Sequence, residues 1–358
     1  MANCILLIDD AYPINSRNTR ILASVKEAFP GCDIHILVWD REHRYAMTDE
    51  PWTFHLFNKQ AIYGNKWQKM MGLFGFRKFC CQEISKINPD IIIASHWNNL
   101  LMLPHLSANQ KLIYENLDAP TGPWIIRQFL RGIERYYMRQ AVLTIHASRF
   151  YTDLYPAKYP QLVVENKPTL QAQTLPYHIG DTLRIAFLGN IRYLDILKNL
   201  VDAVRGNQKL DLSFHGSGPD LEALRHYIAE EPNIHCTGAY QYADMARLYA
   251  ETDIIWAAYP NKDFNVKYAI SNKFHESLAY AIPAIYANNT KLGEYVSSER
   301  IGLEVNPYSV GDIKELFCQL TMHPETIMEL RNVLLGKQNQ LSDWQQEIKP
   351  LLQFIANS

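Results

Sequence analysis

Small and polar residues follow several short apolar runs in the second half of the chain. Residues 189–192 and 215–218 both combine glycine with polar side chains directly after such a run. Glycine lets a phosphate approach the backbone, and the guanidinium of an arginine can donate two parallel hydrogen bonds to that phosphate. An ordinary strand-to-helix turn is the alternative for each loop alone. The candidate phosphate-binding residues are Gly189, Asn190, Arg192, Gly216 and Gly218.

The most informative polar segment opens a predicted helix at residues 271–276. Ser271 or Asn272 can cap this helix, whose free N–H groups and positive dipole end favour an anion. Lys273 adds a full charge. Glu276 projects from the same face and can accept hydrogen bonds from both hydroxyls of a ribose. The alternative is a Lys273–Glu276 surface ion pair, worth at most about 1 kcal/mol.

Aromatic residues follow a further apolar run, at Tyr240 and Tyr242. Tyr240 could stack on a nucleobase, which makes it a candidate donor-binding residue. Core packing is the commoner use of such side chains.

Short apolar runs alternate with longer amphipathic stretches along the whole chain, which is typical of buried parallel strands joined by helices. The pattern predicts an α/β fold with two doubly wound Rossmann-like domains facing a central cleft, with six strands expected in each. A polar segment at 167–181 separates domain 1–170 from domain 171–341. A helix at about 342–358 can pack back on the first domain. Ligands of such sheets bind beyond the carboxyl ends of the strands, where the candidate loops lie.

Composition narrows the function classes. The chain has 358 residues, 47% hydrophobic and 20% charged, which suits two packed cores. Its net charge of −2 gives no global field that would favour nucleic acid as a partner. The six cysteines form no CxxC pair, and neither a signal peptide nor a transmembrane stretch is recognisable. These features predict a cytoplasmic protein.

The run from 271 to 285 resembles the donor-site segment of GT-B fold glycosyltransferases of the family 4 (group 1) type. Residues 189–192, 215–219 and 238–240 resemble that family's phosphate loop, glycine-rich turn and base-binding turn, in the same order. The resemblance implies a nucleotide-sugar donor, with UDP as the nucleotide, bound by domain 171–341. It also implies a glycan or lipid-linked saccharide acceptor on domain 1–170, as in bacterial surface polysaccharide assembly.

The same resemblance implies transfer with retention of configuration, without a cofactor and without a required divalent metal. Two positions depart from the family pattern. Tyr268, next to Lys267, stands where the family has the first residue of an acidic pair. Asn190 stands where the family has an arginine, and Arg192 follows two residues later.

An inverting transfer would need a general base. Candidates at predicted strand ends are the carboxylates of Asp118, Asp10 and Asp9, with His96 as a neutral alternative. Each also has a structural alternative: Asp10 or Asp9 can cap a helix, Asp118 can hold the turn before Pro120, and His96 can be an ordinary loop histidine.

A basic amphipathic helix is predicted at residues 124–139, where arginines recur every four residues beside large apolar side chains. Residues 66–79 mix lysine and arginine with methionine, tryptophan and phenylalanine. Such segments can lie in an anionic membrane surface. In the alternative, the apolar faces are core and the arginines form a solvated rim. Because both segments fall in the domain expected to bind the acceptor, we expect peripheral contact of domain 1–170 with an anionic membrane.

Two other functions are compatible with the same loops. A sugar-nucleotide 2-epimerase would bind the donor in the same way and need no acceptor. A non-catalytic nucleotide-sugar-binding protein would bind the donor without turnover.

Overall fold

The computed structural model describes residues 2–46, 49–61, 66–168, 173–176, 180–338 and 341–358, with the side chains of 66–70 outside that description. These residues form two compact units. Unit 1 comprises residues 1–166 and 344–358, and unit 2 comprises residues 167–343. Much of the predicted linker at 167–181 lies outside the described residues.

The strands are β1 Cys4–Asp9, β2 Asp33–Trp39, β3 Thr53–Phe57, β4 Ile91–Ser95, β5 Lys111–Asn116, β6 Ala141–His146, β7 Gln161–Val163, β8 Leu183–Leu188, β9 Leu210–His215, β10 Ile234–Gly238, β11 Ile254–Ala257, β12 Ala284–Ala287 and β13 Leu303–Val305. The α-helices are α1 Ser16–Ala28, α2 Lys66–Ile87, α3 Trp124–Met138, α4 Leu194–Val204, α5 Leu221–Ile228, α6 Met245–Ala250, α7 Asn272–Tyr280, α8 Lys291–Ser298, α9 Val310–Met322, α10 Glu325–Gln338 and α11 Trp344–Ala356. Short 3-10 turns span Trp97–Met102, Arg149–Leu154 and Tyr242–Asp244.

Unit 1 is built on a parallel sheet with the strand order β3-β2-β1-β4-β5-β6-β7. The central strands are almost fully buried, as their unbroken apolar runs predict. Six strands were predicted here, and the seventh is β3. Its sequence, TFHLF, mixes polar with apolar residues and lies half-buried at the edge of the sheet, so it lacks the continuous apolar signal.

The order of strands reverses between β1 and β4, so the loops that follow these two strands diverge to opposite sides. Asp10 follows β1 and His96 follows β4, which places both candidates at this switch point. Asp118 follows the neighbouring strand β5.

Unit 2 repeats the arrangement, with a parallel sheet in the order β10-β9-β8-β11-β12-β13. Its core packs apolar side chains of β8, β9 and β11 against α4, α5 and α9. The carboxyl ends of β8, β9 and β10 lead into residues 189–192, 216–219 and 239–240. Helix α7, between β11 and β12, begins with the polar segment singled out in the sequence.

The last helix, α11, belongs to unit 1. Trp344, Ile348, Leu351 and Ile355 lie on one face of it and are buried in the core of that unit. The indole Nε1 of Trp344 donates to the hydroxyl of Ser24 at 3.0 Å. Among the helices that the structure describes, none has the length and apolar character needed to cross a bilayer.

Candidate functional site

Three loops of unit 2 are hydrogen-bonded into one layer at the carboxyl edge of the sheet. The amide of Gly189 donates to the carbonyl of His215 at 2.9 Å, and the amide of Gly216 donates to the carbonyl of Gly238 at 2.7 Å. The amide of Ile191 donates to the carbonyl of Ser217 at 2.8 Å. The loops after β8, β9 and β10 therefore hold each other in register.

Glycine is required where these loops touch. A Cβ atom on Gly216 would lie 1.7 Å from the carbonyl oxygen of Gly189, and one on Gly218 would lie 2.2 Å from that of Ile191. Gly216 also has φ +149°, in the region that favours glycine. The two glycines thus serve close backbone packing.

The joined loops line a cavity of about 490 Å³, a size typical of small-molecule sites. Its walls carry backbone, small side chains and one aromatic ring, which suits a ligand that approaches the backbone closely. The lining residues are Gly189, Asn190, Gly216, Ser217, Gly218, Pro219, Ala239 and Tyr240.

Helix α7 points its first turn toward this cavity. Ser271 is the N-cap, since its side chain accepts a hydrogen bond from the amide of Lys273 at 3.2 Å, whereas Asn272 is an exposed residue of the first turn. The Lys273 stem passes over Gly189, where a Cβ atom would lie 3.8 Å from its Cε. The helix start and the first glycine loop therefore belong to one site.

Lys273 and Glu276 form a buried ion pair, with side-chain exposures of 8% and 10%. The ammonium of Lys273 and the hydroxyl of Tyr249 both donate to Oε2 of Glu276. A surface ion pair, the alternative interpretation of this spacing, is therefore excluded. A carboxylate buried to this extent needs such partners to remain charged.

Tyrosines surround Glu276. Tyr240 is half-buried at the edge of the cavity, and burial followed by the charge of Glu276 raises the pKa of its phenol to about 12. Burial also raises the pKa of Tyr259, against the opposing effect of its hydrogen bond with Ser271. These phenols stay protonated at neutral pH and can serve as hydrogen-bond donors.

Sequence reasoning missed Tyr249 and Tyr259. Tyr249 lies in the apolar helix α6, where an aromatic residue predicts only core. Tyr259 comes two residues after β11 ends, so a systematic search of strand ends would have found it.

Arg192 is exposed, with its guanidinium carbon 4.8 Å from the centre of the Tyr193 ring. Its charge acts to lower the pKa of Tyr259. The structure thus places Gly189, Asn190, Gly216, Gly218 and Tyr240 around one cavity, with Lys273 next to Gly189. The binding role of all the predicted donor-site residues stays a prediction.

Unit 1 holds a separate polar group at the switch point of its own sheet. Nε2 of His96 lies 3.7 Å from Oδ2 of Asp118. Burial by itself lowers the pKa of His96, but the neighbouring carboxylate of Asp118, with the charge of Asp10, outweighs that effect and raises it. His96, Asp118 and Asp10 therefore lie in one electrostatic group, and none of their contacts assigns one of them as the base.

Asp10 is also engaged by Arg41, whose Nη2 donates to its carboxylate at 2.5 Å and to its carbonyl at 2.6 Å. Neighbouring Asp9 accepts hydrogen bonds from Asn18 and from the backbone of the loop before α1. Burial, followed by the charge of Asp10, raises the pKa of Asp9 to about 7. Asp9 therefore organises the loop, and Asp118 is the more accessible carboxylate beside His96.

Within the described part of the chain, no three His, Cys, Asp or Glu side chains are grouped as a metal site requires. The expectation that no divalent ion is required stays a prediction.

A family of known proteins matches most of unit 2. Residues 182–323 match the family of glycosyl transferases group 1. This range contains every predicted donor-binding residue, and the predicted resemblance to that family is confirmed. No curated protein matches the chain.

Solved structures define the fold. The chain is similar to sucrose-phosphate synthase from Thermosynechococcus elongatus, with a TM-score of 0.73 and 14% identity over 99% of this chain and 98% of that one. It is similar to HepE of Anabaena in complex with UDP, with a TM-score of 0.70 and 13% identity over 99% and 100%. It is also similar to WaaG, a glycosyltransferase involved in lipopolysaccharide biosynthesis, with a TM-score of 0.67 and 10% identity over 99% of this chain and 100% of that one. The fold is the GT-B fold, as predicted.

Replacing Gly216 by alanine tests the loop junction. The new methyl group would collide with the Gly189 carbonyl, so we expect a stability loss of about 1–3 kcal/mol from overpacking, measured by denaturant unfolding, and loss of nucleotide binding. Gly336→Ala in α10 is the control, because nothing lies within 4 Å of its added Cβ. If Gly216→Ala has the same free energy of unfolding and the same nucleotide affinity as the wild type, the junction does not depend on glycine.

Replacing Asp118 by asparagine tests the histidine group. Because Asp118 raises the pKa of His96, its removal lowers that pKa, and an NMR titration of the His96 imidazole shifts to lower pH. If neutral His96 acts as a base, the acid limb of kcat/KM moves in the same direction. Asp211→Asn, beside His235 in unit 2, serves as the control and leaves the His96 titration in place. An unchanged His96 titration in Asp118→Asn would contradict the coupling.

Proposed function

We propose that this chain is a glycosyltransferase that moves a sugar from a uridine diphosphate donor to a hydroxyl group of a glycan or lipid-linked saccharide. The observation that carries the proposal is that the glycine junction lines one cavity, and that Lys273, on the Ser271-capped helix, lies next to Gly189 of that cavity and is paired with Glu276. The family match over the same residues supports it. HepE binds UDP with the same fold, and UDP is proposed here by that analogy.

The donor binds in three parts. Tyr240 stacks on the base at the rim of the cavity. The diphosphate lies over the backbone of residues 189 and 216–218, where small residues permit close approach. Glu276 accepts hydrogen bonds from the ribose hydroxyls through Oε1, because both of its protein contacts fall on Oε2.

Transfer breaks the bond between the sugar carbon C1 and the diphosphate oxygen, and the acceptor oxygen forms the new bond to C1. Negative charge develops on the departing diphosphate. Lys273, Arg192 and the N-terminus of α7 stabilise that charge, so protein cations take the place of a divalent ion. This division of work supports a metal-independent reaction.

The acceptor hydroxyl loses a proton during transfer. In a retaining reaction that proton passes to the departing phosphate, and no protein base is needed. In an inverting reaction, His96 supported by Asp118 is the base that unit 1 offers. The family resemblance favours retention.

The test is turnover of UDP-sugars in EDTA with saccharide and lipid-extract acceptors, read as UDP released and product formed. Lys273→Met removes a cation from the leaving group, so we expect kcat to fall about 100-fold or more, while Lys337→Met on the surface of unit 2 changes little. The melting temperature of each variant separates catalytic loss from unfolding.

Other outcomes decide against the proposal. Conversion of the donor to an epimer without acceptor would make the chain an epimerase. Tight binding of a UDP-sugar without turnover on any acceptor would make it a binding protein.

A further inference from the structure

Helix α3 of unit 1 has its polarity reversed relative to an ordinary surface helix. Ile125, Phe129 and Tyr136 lie on one face and are 74%, 68% and 59% exposed. On the opposite side Arg131 and Glu134 are buried, at 8% and 1%. An apolar face that packs on a core would show the reverse pattern. The alternative in which this apolar face is core is therefore excluded for Ile125, Phe129 and Tyr136, while Met138 on the buried side does belong to the core.

The buried face explains why the helix sits this way. The carboxylate of Glu134 accepts hydrogen bonds from the hydroxyls of Tyr114 at 2.5 Å and Tyr155 at 2.7 Å. The guanidinium of Arg131 donates to the carbonyl of Leu154 at 2.5 Å. These bonds fix the rotation of α3, so the apolar face is held outward by specific contacts.

A second exposed apolar pair lies nearby. Met71 and Phe74 on α2 are 58% and 70% exposed, and Lys78 follows on the same face. Both α2 and α3 contact the 3-10 turn Trp97–Met102, so the two helices flank one region of unit 1. Lys66, Trp67, Lys69 and Met70 of the predicted basic segment have side chains outside the description.

The exposed charge on α3 and on residues 71–82 of α2 is positive. Residues 66–82 contain lysines and arginines and no acidic residue, and the single acidic residue of 119–139 is the buried Glu134. Arg135, half-buried, and Arg139, exposed, therefore flank the apolar face without an exposed carboxylate on the same helix, whereas Arg127 is half-buried on the opposite side. This pattern complements anionic phospholipid headgroups above an apolar layer.

We propose that α3, with the exposed residues of α2, is the surface by which unit 1 lies in an anionic phospholipid bilayer. Ile125, Phe129 and Tyr136 enter the acyl boundary, and Arg135 and Arg139 contact lipid phosphates. A second copy of the chain fits less well, because a symmetric contact would bring like charges together without acidic partners.

The surface also selects an acceptor class. The turn Trp97–Met102, which both helices contact, directly follows His96, so the membrane surface and the His96–Asp118 group are neighbours in unit 1. If the proposed function holds, the acceptor is a saccharide on a lipid embedded in that bilayer. This step rests on the transferase proposal, whereas the membrane contact does not.

The first test is flotation of the full-length protein with vesicles of phosphatidylcholine alone or mixed with phosphatidylglycerol. The wild type is expected to float with the anionic vesicles at low salt. The double variant Ile125→Ser, Phe129→Ser is expected to lose about tenfold or more in partitioning. Met322→Ser in unit 2, where Met322 is 61% exposed, is the control and floats like the wild type. Arg139→Gln is expected to cost about fivefold, and only at low salt.

Insertion is measured separately from adsorption. Trp124 begins α3 and is 66% exposed, so brominated phospholipid should quench its fluorescence, and the quenching should disappear in Trp124→Phe. No flotation of the wild type with anionic vesicles at low salt would overturn the proposal. So would a concentration-dependent dimer that the double serine variant dissociates, since a second copy would then cover the face.

UDP titration of the same proteins keeps the two proposals apart. UDP binding without vesicle binding overturns the membrane surface and leaves the transferase standing. Vesicle binding without UDP binding overturns the transferase and leaves the membrane surface standing. For the acceptor, the double variant should lose turnover on the vesicle-borne saccharide and keep it on the same saccharide without lipid. Equal loss on both would overturn the choice of a lipid-linked acceptor.

Discussion

The carboxylate of Glu276 is buried, and the arrangement of unit 2 around it follows from the need to keep that charge satisfied. Lys273 supplies a counter-charge from the preceding turn of α7, and Tyr249 supplies a hydroxyl from α6. Both partners must be held in place, because an unpaired buried carboxylate would be protonated or would destabilise the fold. The same requirement brings a lysine over the first glycine loop, where a diphosphate would lie.

Unit 1 shows a related use of a buried carboxylate. Glu134 faces the sheet and is held by two tyrosine hydroxyls, which leaves the apolar residues of α3 on the outside. In unit 2 a buried acid holds Lys273 next to the first glycine loop, and in unit 1 a buried acid fixes the rotation of α3.

Much of the fold and of the candidate site could be predicted from the sequence. Continuous apolar runs predict buried parallel strands, and the strands of both sheets were predicted in this way except β3, whose mixed residues give no such run. The candidate donor-site residues could be proposed because the carboxyl ends of strands carry short, recognisable polar segments. Residues 189–192 and 271–276 are each a short consecutive segment, and a pattern within such a segment can be recognised from the sequence.

What could not be predicted depends on contacts between distant segments. Nothing local shows that Tyr249 would reach Glu276, or that Glu134 would turn inward and Phe129 outward. The amphipathic pattern of α3 is the same whether its apolar face packs on a core or meets a membrane. The contacts of Glu134 with Tyr114 and Tyr155, and of Arg131 with Leu154, exclude the first of these by turning the apolar face outward.

Calorimetric titration of UDP in EDTA, into the wild type and Glu276→Gln, tests the central claim most directly. The account predicts that the wild type binds UDP and that the variant binds about tenfold or more weakly, because a charged acceptor for the ribose hydroxyls is lost. Glu294→Gln, on the exposed surface of α8, should bind like the wild type. A wild type that binds no nucleoside diphosphate, or a folded Glu276→Gln variant with unchanged affinity, would contradict the account.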